Sequence, residues 1–298
     1  MELEIQKDGE DPKKEKEAPK FVSPAPKVLY EPAVAMEFFK SVGKTERFDA
    51  GKSIFVENEG TANVFAEGTR MYLLLDGEVT LSVNKKVIGA VAKGEIFGEM
   101  ASITQMPRSA TAVAKTACDV MSLDEKQFQS AVAKSPEFAL MLMNIIISRL
   151  RGTIANLTGG GALSEKDPWS RAAVFDRNLL ADLVREFEDK PAVSHPAKKA
   201  IMREGERGVF SYVVLEGTVA VTIGGKVVEK VGPGGLFGEM ALVNQGPRNA
   251  TATTETECSL LAINRVDFMN LVKTKPAFAT SLLKALSQRL RFMTAKYK

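Results

Sequence analysis

Three observations predict a mainly β chain with flanking helices, built as two tandem copies of one domain. Laying residues 71–151 over 211–291 at a constant offset of 140 matches about 30 of 81 positions without a gap, which marks a duplicated unit. Within each copy, β-rich runs such as MYLLLDGEVTLSV (71–83) and SYVVLEGTVAVTI (211–223) are broken by Asp-Gly or Glu-Gly steps. Turn signals recur at the spacing of an antiparallel sandwich or barrel. Each copy then closes in a helical pattern, PEFALMLMNIIISRLR at 136–151 and PAFATSLLKALSQRLRF at 276–292.

Taken in chain order, residues 1–30 mix Lys, Glu, Asp and Pro without apolar periodicity and read as a charged, solvated tail. Domain A spans 31–157, with a helical lead-in around 33–42. The stretch LTGGGALSEKDPWS carries three consecutive glycines and Pro168, which places a linker at 158–170. Domain B spans 171–298, with its own lead-in around 175–188. Pro136 and Pro276 stand where a helix tolerates proline, in its first turn. Helix 136–151 has almost no polar face, so it is expected to be enclosed by the second domain or in the seam of a homodimer.

The best-matched stretch of the repeat is FGEMASITQMPRSATA (97–112) against FGEMALVNQGPRNATA (237–252). A glycine there lets the backbone approach a ligand, and the amides that follow point outward as phosphate donors. Arginine nine residues after the glutamate offers a planar fork for two phosphate oxygens. The glutamate would repel an anion and makes sense facing a donor such as a ribose hydroxyl. Together these groups describe a pocket for a sugar phosphate. A plain Glu99–Arg108 salt bridge that only stabilises a loop is the competing reading.

The pattern F-G-E-[LIM]-A followed by P-R-x-A-T, present twice, resembles the phosphate-binding cassette of cyclic-nucleotide-binding domains. The resemblance covers about 40–157 and 175–298, and it implies two tandem double-stranded β-helix (jelly-roll) domains that bind cAMP or cGMP, with no other cofactor. It implies that Glu99 and Glu239 accept from the ribose 2′-hydroxyl and that Arg108 and Arg248 hold the cyclic phosphate. Gly98, Met100 and Ala101, with Gly238, Met240 and Ala241, would complete the two cradles, and Ser109 and Asn249 would sit beside the phosphate or base. It also implies that the helix after each barrel covers the base, with Leu150 and Phe292 as candidate lid contacts. Asn249 and the segment 56–70, which aligns poorly with 202–210, depart from a simple duplication.

The remaining residues read as structural. His195, the sole histidine, has no partner for acid–base or metal chemistry; Cys118 and Cys258 fall in strand-like runs as buried small hydrophobes. Trp169 is expected to pack on the second domain, and Arg149, Arg151, Arg289 and Arg291 suit the macrodipole at helix ends. A net charge of +3 on a mixed surface does not indicate DNA binding, and no reading helix follows the second barrel. Neither cassette holds a nucleophile–base pair, so an enzyme is not expected. The N-terminal stretch lacks a signal-peptide core, and the apolar run 139–147 falls short of a membrane span. The expectation is a cytoplasmic regulatory protein signalling to a separate protein effector, with an interaction scaffold carrying vestigial pockets as the alternative.

Overall fold

The computed structural model describes residues 32–60, 69–159, 169–170 and 173–296. The first half runs α1 (Pro32–Val42), β1 (Lys44–Phe48), β2 (Ser53–Phe55), β3 (Met71–Asp76), β4 (Val79–Val83), β5 (Lys86–Val91), β6 (Ile96–Phe97), α2 (Glu99–Thr104), β7 (Thr111–Ala114), β8 (Cys118–Leu123), α3 (Glu125–Lys134) and α4 (Pro136–Gly159). The second runs β9 (Trp169–Ser170), α5 (Arg177–Glu186), β10 (Val193–His195), β11 (Ala200–Met202), β12 (Phe210–Glu216), β13 (Val219–Ile223), β14 (Lys226–Val231), β15 (Leu236–Phe237), α6 (Glu239–Asn244), β16 (Thr251–Thr254), β17 (Cys258–Asn264), α7 (Arg265–Thr274) and α8 (Pro276–Thr294).

Each half is a jelly roll of two sheets. In domain A the strand orders are β1-β8-β3-β6 and β2-β7-β4-β5; domain B repeats them as β10-β17-β12-β15 and β11-β16-β13-β14. All of these pairings are antiparallel. Inward side chains fill the domain A barrel, among them Phe55, Tyr72, Leu74, Phe97, Cys118 and Val120. Tyr72 faces Phe97 across β3 and β6 with the rings stacked at 5.2 Å, and Tyr212 and Phe237 repeat the pair at 5.2 Å. Cys118 and Cys258 are buried and free, as the sequence suggested.

Three boundaries differ from the sequence reading. Helix α4 does not stop at 151 but continues to Gly159, because Thr153, Ile154 and Leu157 are buried by the fold. Tertiary burial outweighs the weak helix propensity of the Gly-rich end. Trp169 and Ser170 are no linker: they add β9 to the edge of the second domain's sheet, parallel to β14, and Trp169 stacks on Phe292 at 5.6 Å. The segment 56–70 resolves into an insertion. The backbone of Arg108 bonds to Glu59, and that of Arg248 bonds to Glu206, an offset of 147, whereas Tyr72 and Tyr212 differ by 140. Copy one therefore carries seven extra residues between Glu59 and Met71; residues 61–68 of that stretch, like the tail 1–30, lie outside the described residues.

The two halves share one apolar core through α4 and α8, which pack on each other. Ile146, Ile147, Leu150, Ile154 and Leu157 of α4 are all buried, each contributing about 2 kcal/mol. The apolar helix is thus enclosed by the second domain. By length and composition alone α4 is apolar enough to cross a membrane, but 61% of its most apolar 18-residue stretch is buried within the fold.

Candidate functional site

The cassette of each domain is a short helix entered through a left-handed glycine. Gly98 has φ 73° and Gly238 φ 82°, a conformation that side-chain-bearing residues adopt at a cost. This turn aims Glu99 and Glu239 inward, and both are 1% exposed.

Arg108 returns to the same point from the turn between α2 and β7. Its backbone is clamped to the preceding turn, with its N–H donating to Glu59 O (3.0 Å) and its carbonyl accepting from Asn58 N (2.9 Å). Its guanidinium lies 4.1 Å above the Phe55 ring and donates to Gly98 O at 2.9 Å. Arg248 donates to Gly238 O (2.7 Å) and Phe210 O (2.6 Å). Gly208 leaves room for this side chain: a Cβ there would come within 2.0 Å of the Arg248 guanidinium carbon. The segment 202–210 therefore shapes the second pocket. Both arginines are 6% exposed, and among the described residues neither has a carboxylate within ion-pair distance. Burial holds both guanidiniums below their ordinary pKa.

The Glu99–Arg108 salt bridge considered from sequence does not form. Glu99 Oε1 instead accepts from Arg149 at 2.6 Å, and Arg149 also donates to the Ile96 carbonyl. In domain B, Glu239 Oε1 accepts from Arg289 while Glu239 Oε2 is buried without a hydrogen-bond partner. Arg289 Nε lies 3.0 Å from Glu229 Oε2 as an ion pair, and Arg289 Nη2 donates to Glu229 Oε1 at 3.4 Å. Burial alone would lower the Arg289 pKa, but Glu229 and Glu239 outweigh it and hold the guanidinium above its ordinary value. Arg149 and Arg289 are thus not helix-end cations. They were missed because they follow their glutamates by 50 residues; the identical spacing in both copies was the available signal.

The twelve cassette residues named from sequence come together. Gly98, Glu99, Met100, Ala101, Arg108 and Ser109 line a cavity of about 110 Å³ in domain A. Gly238, Glu239, Met240, Ala241, Arg248 and Asn249 line one of about 50 Å³ in domain B. Ser109 Oγ lies 3.4 Å from Met100 Sδ, and Asn249 Oδ1 is buried without a partner. Of the expected lid contacts, neither Leu150 nor Phe292 is among the residues lining these two cavities. Leu150 is spent in the interdomain core, and Phe292 stacks on Trp169. His195 lies in β10, in register with Cys258, and the described residues hold no group of three or more side chains that could bind a metal ion.

Each domain thus has a buried guanidinium that, among the described residues, lacks a carboxylate partner and lines a cavity beside a buried glutamate. The cyclic nucleotide-binding domain family matches residues 45–135 and 192–275, more than half of the chain, and the chain belongs to that family. Among its relatives is the cAMP-dependent protein kinase regulatory subunit of Yarrowia lipolytica, 27% identical over 229 residues, which cover 76% of this chain and 53% of the relative. The corresponding subunit of Eremothecium gossypii is 27% identical over 208 residues, 69% of this chain and 40% of the relative. The chain spans about half the length of the curated relatives it matches. Among solved structures, the regulatory domain of Toxoplasma gondii PKA with cAMP is similar at 22% identity, covering 85% of this chain and 88% of that one, with a TM-score of 0.30. The regulatory subunit of a cAMP-independent protein kinase A from Trypanosoma brucei gives 22%, 79% and 76%, with a TM-score of 0.29.

Proposed function

We propose that the protein is a regulatory sensor that binds cAMP or cGMP in both domains and signals to a separate protein partner. The single observation that carries this reading is the pair Arg108 and Arg248: buried guanidiniums facing cavities with no carboxylate partner among the described residues. A buried charge is costly unless it is compensated, and a cyclic phosphate supplies the missing charge. The partnerless Glu239 Oε2 supports the same ligand, since a ribose hydroxyl would donate to it. Arg149 and Arg289 keep the two glutamates from repelling the phosphate. The relatives are regulatory subunits of a kinase, which supports a non-catalytic role and a protein effector. A reducing, cytoplasmic setting belongs to the same proposal and agrees with two buried free cysteines.

Binding can drive a signal only through unequal affinity for two arrangements of the helices around the pocket. Isothermal titration of the wild-type chain with cAMP and with cGMP tests the proposal, once nucleotide retained from expression has been removed. Uptake of about two equivalents of either nucleotide is the expected result. No binding of either at high micromolar concentration sinks the sensor reading and favours the scaffold.

A further inference from the structure

Glu229 stands alone in the wall of site B. It is 3% exposed and lines the cavity, and the equivalent position of the repeat in domain A is Gly89. It comes from β14, outside the cassette, so nothing in the strings shared by the two copies calls for a second acid there. A buried carboxylate is costly unless a cation and hydrogen bonds compensate it, and Arg289 supplies both.

Arg289 is divided between two acids. A guanidinium presents its donors in a planar fork, and one edge of the fork can engage both oxygens of a carboxylate. Glu229 occupies the Nε and Nη2 edge, with Nε 3.0 Å from Oε2 and Nη2 donating to Oε1 at 3.4 Å. Glu239 is met only through Nη1 on its Oε1, and its Oε2 is buried without a partner. Site A has no acid at position 89. There Arg149 meets Glu99 Oε1 through Nη1 and turns Nη2 to the Ile96 carbonyl. Glu95, the other acid lining site A, accepts from the Ala92 amide instead. The ion cluster of site B therefore sets two carboxylates against one guanidinium, whereas that of site A pairs one with one.

We propose that Glu229 is a specificity-determining positioning residue of site B: by holding one edge of Arg289 it keeps Glu239 Oε2 as an unshared acceptor, so site B demands a free ribose 2′-hydroxyl more strictly than site A does. The inference rests on the sensor reading above, which already assigns the 2′-hydroxyl to Glu239. It goes further in naming a residue outside the cassette and in separating the two sites by the ligand chemistry they accept. Without the Glu229 charge, Arg289 is released to pair with both oxygens of Glu239, and the ligand hydroxyl then competes with a guanidinium for its acceptor. With Glu229 in place, a ligand lacking that hydroxyl leaves a buried carboxylate oxygen unpaired.

The test compares cAMP, or cGMP if that is the nucleotide taken up, with its 2′-deoxy analogue by calorimetric titration of the full chain. In the Arg108→Ala background, where only site B binds, the parent nucleotide should bind about 10- to 100-fold more tightly than the deoxy ligand, the scale of a hydrogen bond to a charged group. In the Arg248→Ala background the same ratio, now read at site A, should be several-fold smaller. Adding Glu229→Gln to the site B background should lower its ratio towards that of site A. A purely structural Glu229 would change both affinities alike and leave the ratio where it was. That result in a folded Glu229→Gln variant, or equal ratios at the two sites before Glu229 is touched, would overturn the inference and leave the sensor reading intact. Parent chains that bind neither cyclic nucleotide overturn both.

Discussion

The two pockets have the same grip and different walls. Glycine, glutamate and arginine of the cassette occupy equivalent places in both, and each glutamate is held by an arginine from the domain's own last helix. Around that grip the copies diverge. Gly89 lines site A where Glu229 lines site B, and Phe55 lies under Arg108 where Met202 takes the equivalent place in domain B. Site A is the larger, at about 110 Å³ against 50 Å³. The difference teaches that the proposed phosphate grip rests on a constellation kept in both copies, whereas the walls around it differ. Duplication has therefore produced a roomier site with one buried ion pair, and a tighter site whose Arg289 bridges two buried carboxylates.

The largest effect should come from breaking that charge contrast. Arg289→Ala leaves Glu229 and Glu239 buried without their cation and should cost about 3–5 kcal/mol of stability. Arg149, with its side chain 23% exposed and a single carboxylate partner, should cost about 1.5–3 kcal/mol when changed to alanine. Urea unfolding of the two variants side by side measures the gap; equal losses would show that Glu229 adds nothing.

A smaller effect sharpens the difference in how the two arginines are seated. Gly208→Ala would push its methyl into the Arg248 guanidinium and should weaken site B by about tenfold, equivalent to one charged hydrogen bond. Titration of the variant in the Arg108→Ala background reads that loss at site B, and in the Arg248→Ala background site A should be untouched. Smallest of all, Phe55→Leu removes the ring under the buried Arg108 but keeps apolar packing there, and should weaken site A by about five-fold, within the cation–π range of about 0.5–2 kcal/mol. Competition with a fluorescent cyclic nucleotide resolves that size of change.

The duplication, the jelly-roll halves and the cassette were legible because they lie in short, local strings: a turn glycine, a glutamate beside it and an arginine nine residues on. Contacts made between distant elements were not. The pairing of Glu99 with Arg149 depends on how α4 lies across the barrel, and the macrodipole was a sufficient local account of that arginine. The repeat offset established that Arg151 and Arg291 are equivalent, but not that each reaches into the opposite domain. The end of α4 was hidden for the same reason. Its glycines read as a break, and only burial of Ile154 and Leu157 against the other half keeps the helix going.

The central claim is that the chain holds two independent phosphate grips, one centred on Arg108 and the other on Arg248. Calorimetric titration of Arg108→Ala and of Arg248→Ala, each beside the wild type, tests it most directly. Each substitution should remove one of the two bound nucleotides, through a loss of about 100-fold or more in affinity at its own site, as for a buried charge left unpaired. Retention of two bound nucleotides by either variant would contradict the assignment.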